Sequence, residues 1–382
     1  MKILHLMSCR GWSSDAYWAT RLTRELERRG HDVTLGCRRG TDDRVIDRAR
    51  REGVERIETF EFRSGTRPGR DVADVRRLAA SLPHVDVVHV HRGKEHWLAA
   101  LANRVSATPR PMVRTRHIAQ AVSPHRANRW LYRRATDLVV TVTEAIRRQY
   151  LAAGLVRPER VVTLPGGADV DAYAPRSPSG EVRARLGAVP GEPLVGMIAG
   201  LRVMKGHRVV VDAAKRLVAA GVRARFVFVG RGSREGAIRE LVMAAGLGDR
   251  VTIAGFVDDL PAVMAALDVA LYVPLESDGM SRVVFEYLAA ARPLVATRVG
   301  VVPEVLTDGD DAMLVHAGDA AKLADALGHL LRDPGLREKL GQRGRRLVVE
   351  RYSGARVAEA LETHYQDLDP RLRPVGQLDR SR

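Results

Sequence analysis

The sequence predicts an α/β protein made of two successive doubly wound parallel-sheet domains. Three observations point there. Short Val-rich runs alternate with amphipathic segments along nearly the whole chain, the pattern of parallel strands covered on both faces by helices. A Pro- and Gly-rich stretch interrupts that alternation near the middle, and the rhythm then restarts. The 382 residues also exceed what one average core supports.

The first strand is expected at "KILHLM" (2–7), followed by a helix on which Trp18, Ala19, Leu22 and Leu26 share a face and which Gly30 stops. Further strands are expected at 32–36, 56–62, 85–91, 111–117, 138–143 and 160–165, mostly with helices between. After the Pro-rich interval come 193–200, 225–230, 251–256, 269–273, 293–297 and 312–318, then helical patterns from 319 to about 367. The expected division is a first domain at 1–166, a linker at 167–192, a second domain at 193–352, a C-terminal helix at 353–368 and a disordered polar tail at 369–382.

The bulk numbers narrow the function classes. There are 62 basic against 46 acidic residues, a net charge of +16 carried mostly by Arg. That excess fits either a solvated Arg-rich surface or an anionic partner. Cys9 and Cys37 are too few for a disulfide framework or a zinc site. Both fall at predicted strand ends, where they can be neighbours. The N-terminal run reads as a strand rather than a cleaved leader, and no window reaches the length of a membrane span, so a cytoplasmic location is expected.

The stretch "ESDGMSRVVFEYLAAARPLVAT" (276–297) holds the most chemistry. A strand ends at Pro274, a loop carries Asp278, and a helix starts near Ser281 with Val284, Leu288 and Ala291 on its apolar face. The backbone amides of Gly279, Met280, Ser281 and Arg282 then sit at a helix start, which suits a phosphate. Glu286 is expected about one turn in, off the core face. Carboxylates at 278 and 286 could accept from sugar or ribose hydroxyls. The competing reading is an ordinary Arg282–Glu286 helix-surface pair. Other strand-end loops add Arg202, Lys205 and His207 in "GLRVMKGHR", and Gly230 and Gly232 in "FVFVGRGSREGA". A diphosphate ligand is the economical reading of the three. In the first half His89, His91, His96 and His117 lie near strand ends. His89 and His91 would share a face, but no third Cys or acidic ligand follows at fitting spacing, so no metal is expected.

"SPHRANRWLYRRATD" (123–137) adds a basic helix. Ala127, Leu131, Ala135 and Leu138 would form its buried side, with Arg126, Arg129, Trp130, Arg133 and Arg134 opposite. Either this is a solvated surface helix or an interfacial one resting on anionic lipid. Nucleic-acid binding lacks a recognition motif and interleaved stacking aromatics, so no nucleic-acid partner is expected. A nicotinamide dehydrogenase would need G-x-G-x-x-G after the first strand, which is absent.

Taken together, "DGMSRVVFEYLAAARPLVATRVGVVPEV", "RELERRGHDVTL", "DVVHVHRGKEHW", "RTRH", "RVVTLPGGADVDAY", "KGH", "FVFVGRGSRE" and "DRVTIAGFVDDLP" resemble the retaining glycosyltransferases of family 4 over most of the chain. The resemblance implies the GT-B fold, two facing Rossmann-like domains with the active site in the cleft between them, and a C-terminal helix packing back on an acceptor-binding N-terminal domain. It implies a hexose or heptose moved, with retention and without a metal or other cofactor, from a nucleotide-sugar to a glycan or lipid-linked acceptor such as lipopolysaccharide core, capsule or glycolipid. A UDP-sugar is expected in preference to a GDP-sugar. By position, Glu286 would bind ribose, Asp278 donor-sugar hydroxyls, and the amides of Met280 to Val283 the distal phosphate. Lys205, with Arg202, would hold the diphosphate, and His117 would lie near the transferred sugar. Gly230 would line the donor site, Phe256 and Val257 would meet the base, and Gly11, Ser13 and Ser14 would line the first loop.

The chain departs from the family pattern at the shorter acid Asp278, at Gly200 where an Arg is usual, and at "GWSSD" where Gly-Gly is usual. The alternative these departures imply is a catalytically weak or inactive nucleotide-sugar-binding relative. Lipid-linked acceptors in the family favour a peripheral position on the inner face of the cytoplasmic membrane.

Overall fold

The computed structural model describes residues 1–277 and 279–372. They form two units, one of residues 1–166 with the returning segment from Gly354, the other Gly167–Ser353. The first unit holds β1 (Lys2–Met7), β2 (Asp32–Arg38), β3 (Ile57–Phe60), β4 (Val87–Val90), β5 (Met112–Arg116), β6 (Leu138–Thr141) and β7 (Val161–Thr163). Their order is β3-β2-β1-β4-β5-β6-β7, parallel throughout. The second unit holds β8 (Leu194–Ile198), β9 (Arg225–Val229), β10 (Val251–Gly255), β11 (Val269–Tyr272), β12 (Leu294–Thr297) and β13 (Met313–Val315), ordered β10-β9-β8-β11-β12-β13 and again parallel. Both sheets are doubly wound and Rossmann-like, reversing direction beside their first strand. Ligands of such sheets sit outside the carboxyl ends of the strands at that reversal.

Burial on both faces explains the apolar runs. Every residue of β4, β6, β11 and β12 is buried. The helix Ser14–Arg28 puts Trp18, Ala19, Leu22 and Leu26 into the core, and Gly30 leaves it at φ 85°. The helix Gly354–Leu368 buries Ala358, Leu361 and Tyr365 in one cluster with Ile3, Leu22, Leu26 and Val87. Arg29 Nε donates to Glu362 at 2.6 Å from the Ser14–Arg28 side.

Residues 167–192 are not a free connection. Ala168, Tyr173 and Leu186 are buried in the second unit's core, and Gly180–Arg185 is a helix tied to Asp268 by Arg183 at 3.0 Å. Their anchors are too widely spaced to show a period, which is why the composition reads as linker. Of the expected disordered tail, Pro370–Leu372 is a 3-10 turn with Leu372 against the first unit's core, and residues 373–382 lie outside the described residues. Cys9 and Cys37 are free thiols in one buried cluster. Burial pushes the Cys37 thiol up to about 12 and raises that of Cys9 as well, so neither is a ready nucleophile. Among the described residues no helix is long and apolar enough to cross a membrane.

The Tyr365 hydroxyl joins the last helix to the sheet, bonding His5 Nε2 at 3.2 Å and His89 Nδ1 at 2.5 Å. Tyr365→Phe leaves both buried nitrogens without it and should cost about 1–3 kcal/mol. Hydrogen exchange in β1 and β4 should record that loss; unchanged protection would show the hydroxyl to be idle.

Candidate active site

In the second unit, β11 exits into a loop and then the helix Arg282–Ala289. Asp278, the first acid of the motif, lies outside the described residues. Around it the loop is held closely. Thr297 Oγ1 donates to Pro274 O at 2.8 Å, the Tyr272 and Ser281 hydroxyls are bonded, and Gly279 N donates to Ser277 Oγ at 3.3 Å. Ser281 caps the helix in the left-handed region at φ 54°, a conformation a non-glycine residue holds at a cost. Gly279 and Met280 are buried, while Ser281, Arg282 and Val283 are half-buried. The first amides of such a helix have no intrahelical acceptor and suit an anion.

Glu286 is 0% exposed, with Arg282 Nε 3.0 Å from Oε1. The expectation that it stands off the core face is therefore corrected. Residues Val284 to Ala289 are all buried, so this helix has no outward side at that turn. The pair is not the solvated one that spacing alone allows, because removing a carboxylate from water is costly and needs compensating partners.

Lys205 ends a 3-10 turn (Val203–Lys205) that packs on the exit of β11. Leu275 N donates to Met204 O at 2.8 Å. Gly206, at φ 80°, comes so near that a Cβ there would lie 2.0 Å from Val273 O. Half-buried Lys205 and exposed Arg202 are thus held at the carboxyl edge. His207, expected beside them, is buried instead, edge-on to Phe228 at 5.0 Å, and burial lowers it to about 4. Gly230 allows the β9 exit to pass Ala199 O, which a Cβ would meet at 2.0 Å. Beyond β10, Phe256 is exposed under the Arg231 guanidinium, 5.1 Å from its ring centre, and Val257 is half-buried.

In the first unit, His117 follows β5 and is buried, its Nε2 3.1 Å from His91 Nδ1. The His91 ring stacks on His117 and on His89, and His89 Nε2 reaches Thr115 Oγ1 at 2.6 Å. Ring nitrogens of His5, His89 and His91 lie within 4.8 Å of one another, a group in which the sequence pattern did not show His5. His5 and His89 are opposed in register on neighbouring strands. The His89 and His91 planes differ by 20°, and both nitrogens of His5 and of His89 have hydroxyl partners, Thr23 and Tyr365 for His5 and Tyr365 and Thr115 for His89. A hydrogen-bonded column of neutral rings is what this geometry makes. Burial lowers His5 and His117 to about 3 and takes His89 and His91 well below their usual range.

The exits of β1 and β4 bring together two residues that sequence reasoning missed, Asp15 in the first turn of the helix Ser14–Arg28 and Arg92 beyond β4. Ser13 N bonds Gly11 O at 2.9 Å, the Ser13 hydroxyl donates to Asp15, and Arg92 pairs with Asp15. Ser14 is exposed. Burial works to raise the Asp15 carboxyl, yet His117, Arg92 and Ser13 bring it down to about 2. An acid in a first helical turn reads as dipole complement, and only the β1–β4 pairing brings Arg92 to it.

On the helix Arg126–Arg133, Arg126, Arg129 and Arg133 are exposed, as is Arg134 beyond it. Trp130 is not. It is half-buried and stacks on Trp97 at 6.0 Å, while Ala127, placed inside by the helical wheel, is exposed. The helix spans only 126–133, and Trp97 claims the ring, so the wheel drawn from 123 misplaces both.

The buried rings set a pH dependence. Their folded pKa values lie below the usual 6.5, so between about 6.5 and about 3 the unfolded chain binds protons that the fold refuses. The depressed Asp15 acts in the same direction, its contribution lost as pH falls toward about 2. Stability of the first unit should fall steadily below about pH 6.5. Protection free energies in β4 and β5 that stay equal from neutrality to mild acid would contradict the neutral column.

Residues 192–333 match the family described as "Glycosyl transferases group 1", and residues 16–172 match "Glycosyltransferase Family 4". The D-inositol 3-phosphate glycosyltransferase of Nocardia farcinica is 31% identical over 76% of this chain and 68% of its own length. The N-acetyl-alpha-D-glucosaminyl L-malate synthase of Bacillus anthracis is 28% identical over 79% and 80%. Among solved structures, a glycosyltransferase from Rickettsia africae superposes at TM-score 0.84, with 19% identity over 96% of this chain and 98% of its own. Anabaena HepE in complex with UDP follows at 0.80, with 19% identity over 96% and 100%. The two Rossmann-like sheets are those of the GT-B fold, and the chain belongs to the group 1 and family 4 glycosyltransferases.

Proposed function

We propose that the protein is a retaining, metal-independent glycosyltransferase that takes a hexose or heptose from a nucleotide diphosphate sugar, a UDP-sugar in preference to a GDP-sugar. Its acceptor is a glycan or lipid-linked molecule of cell-surface polysaccharide or glycolipid synthesis, reached from the cytoplasmic side. The observation that carries the donor half is the fully buried Glu286 one turn inside a helix that starts at a strand's carboxyl end. Anabaena HepE, similar in fold, has been solved with UDP and with UDP-glucose.

In this reading Glu286 accepts from the ribose hydroxyls and Asp278 from those of the transferred sugar. The amides of Gly279, Met280, Ser281, Arg282 and Val283 hold the distal phosphate. Gly230, Phe256 and Val257 line the nucleotide. Lys205 and Arg202 stabilise the charge that grows on the departing diphosphate. The neutral His117 offers its Nδ1 to a sugar hydroxyl. The acceptor oxygen bonds to the anomeric carbon on the face that the diphosphate leaves, and the departing phosphate oxygen takes the acceptor proton. Asp15 is committed to Arg92 and Ser13, which argues against its serving as a nucleophile in a double displacement. A second reading, a relative that binds donor but turns over weakly, is favoured by Gly200 standing where the family pattern has Arg.

UDP at about a hundred times its dissociation constant should stabilise the protein by roughly 2.7 kcal/mol, and Glu286→Gln should lose that response. A melting panel of UDP, GDP and ADP measures it, and a response kept by the variant removes Glu286 from the nucleotide site. Turnover of the donor, with the released sugar keeping its anomeric configuration by proton NMR, separates the catalytic reading from the weak one. Inverted product would end the retaining assignment.

The exposed Arg126, Arg129, Arg133 and Arg134 form the proposed contact with an anionic membrane surface. Because Trp130 is engaged by Trp97, attachment should be electrostatic and lost in high salt. Replacing Arg129 and Arg133 by Gln should release the protein from phosphatidylserine vesicles. Partitioning that survives both substitutions returns the helix to an ordinary solvated face.

A further inference from the structure

The carboxyl edge of the first sheet carries a second cluster that the donor chemistry does not use. Arg10 follows β1, Arg38 ends β2, and Arg63 and Ser64 follow β3. Two guanidiniums converge on one hydroxyl. Arg10 Nε lies 3.1 Å from Ser64 Oγ, its Nη2 bonds the same oxygen, and Arg38 Nη1 lies 3.1 Å away. Partial burial, then the charges of Arg10 and Arg63, press Arg38 below the usual guanidinium range. Among the described residues neither Arg10 nor Arg38 pairs with a carboxylate. Glu61, the nearest acid in sequence to Arg63, is already shared by Arg39 at 2.7 Å, Arg70 at 3.1 Å and Arg63 at 3.4 Å.

The turn that delivers Arg63 and Ser64 is built, and at a cost. Phe62 has φ 38°, a region that a bulky residue avoids. It is held there because the Asp74 carboxylate accepts from Glu61 N and Phe62 N, both at 2.8 Å, and because the buried Phe62 ring stacks on Phe60 at 5.0 Å. Like charges thus gather on a strained, clamped turn, and Arg10 and Ser64 remain open to solvent. Guanidinium forks match the oxygens of phosphate and carboxylate, which would relieve the repulsion.

Strand order gives the reach. Arg38 ends β2, three strands from β5, and Ser64 follows β3, four strands from it, so the guanidinium cluster lies roughly 14–19 Å from His117 along the edge at about 4.8 Å per strand. We propose that Arg10, Arg38, Arg63 and Ser64 form an anion subsite for the acceptor. The acceptor is then an extended molecule whose phosphate or carboxylate stands roughly 14–19 Å from the hydroxyl that is glycosylated. This rests on the transfer reading above and narrows its acceptor class.

The test uses the full chain and two variants, Arg10→Gln and Arg38→Gln, at constant ionic strength with UDP present. Thermal shifts are compared for glucose 6-phosphate, glucuronate and glucose, alongside binding to phosphatidylinositol and phosphatidylcholine vesicles. The expected result is a shift with a charged sugar and none with glucose, lost in both variants while their response to UDP is kept. Selective binding to phosphatidylinositol that Arg38→Gln abolishes assigns the anion to a lipid headgroup; a free-sugar shift without vesicle binding assigns it to a soluble acceptor. Equal shifts for charged and neutral sugars overturn the subsite, as does an anion response kept by both variants. So does silence toward every anion and both vesicles. A missing UDP response in the wild type beside an intact anion response sinks the donor assignment alone.

Discussion

Parallel pairing governs both units. When every strand of a sheet runs the same way, each carboxyl end opens on one edge, and the chain must leave there to form a covering helix. Side chains at those exits are brought together however far apart they stand in sequence. His91, His117, Arg92, Arg10 and Arg38 share one such edge, and Lys205, Gly230, Phe256 and Ser281 share the other. Helices on both faces keep water from the strands, so polar groups survive only at the edges or by bonding to one another.

The imidazole column is the exception that lies inside. His5 and His89 face the same side of neighbouring strands, where an apolar pair would pack with less constraint. Their burial is tolerated because Thr23, Thr115 and Tyr365 satisfy ring nitrogens, and because neutral imidazole is far cheaper to bury than its cation. Tyr365 comes from the last helix of the chain, so the first unit's polar interior is complete only when residues from Gly354 onward return to it. Through His91 the column reaches His117 and limits how that ring can turn.

In the second unit the corresponding constraint is steric. Gly206 and Gly230 let loops pass main-chain oxygens at distances no Cβ would permit. The exits of β8, β9 and β11 are therefore held close together. Glu286, on the helix that follows β11, has no exposure, so its charge acts in surroundings of low dielectric.

Sequence alone determined the two alternating α/β halves, the strand ends, the loops that carry Lys205 and His117 and the helix that carries Glu286, because burial on two faces and helical amphipathicity leave periods that a short window reveals. The strand order, and all that depends on it, belongs to the tertiary structure. The opposition of His5 and His89, the approach of Arg92 to Asp15 and the meeting of Arg10 with Arg38 at Ser64 each join residues that no local period relates. The burial of Glu286 and the stacking of Trp130 on Trp97 were misjudged for the same reason. A helical wheel reports which side of a segment is apolar, but which neighbour covers the other side is decided only when the elements pack.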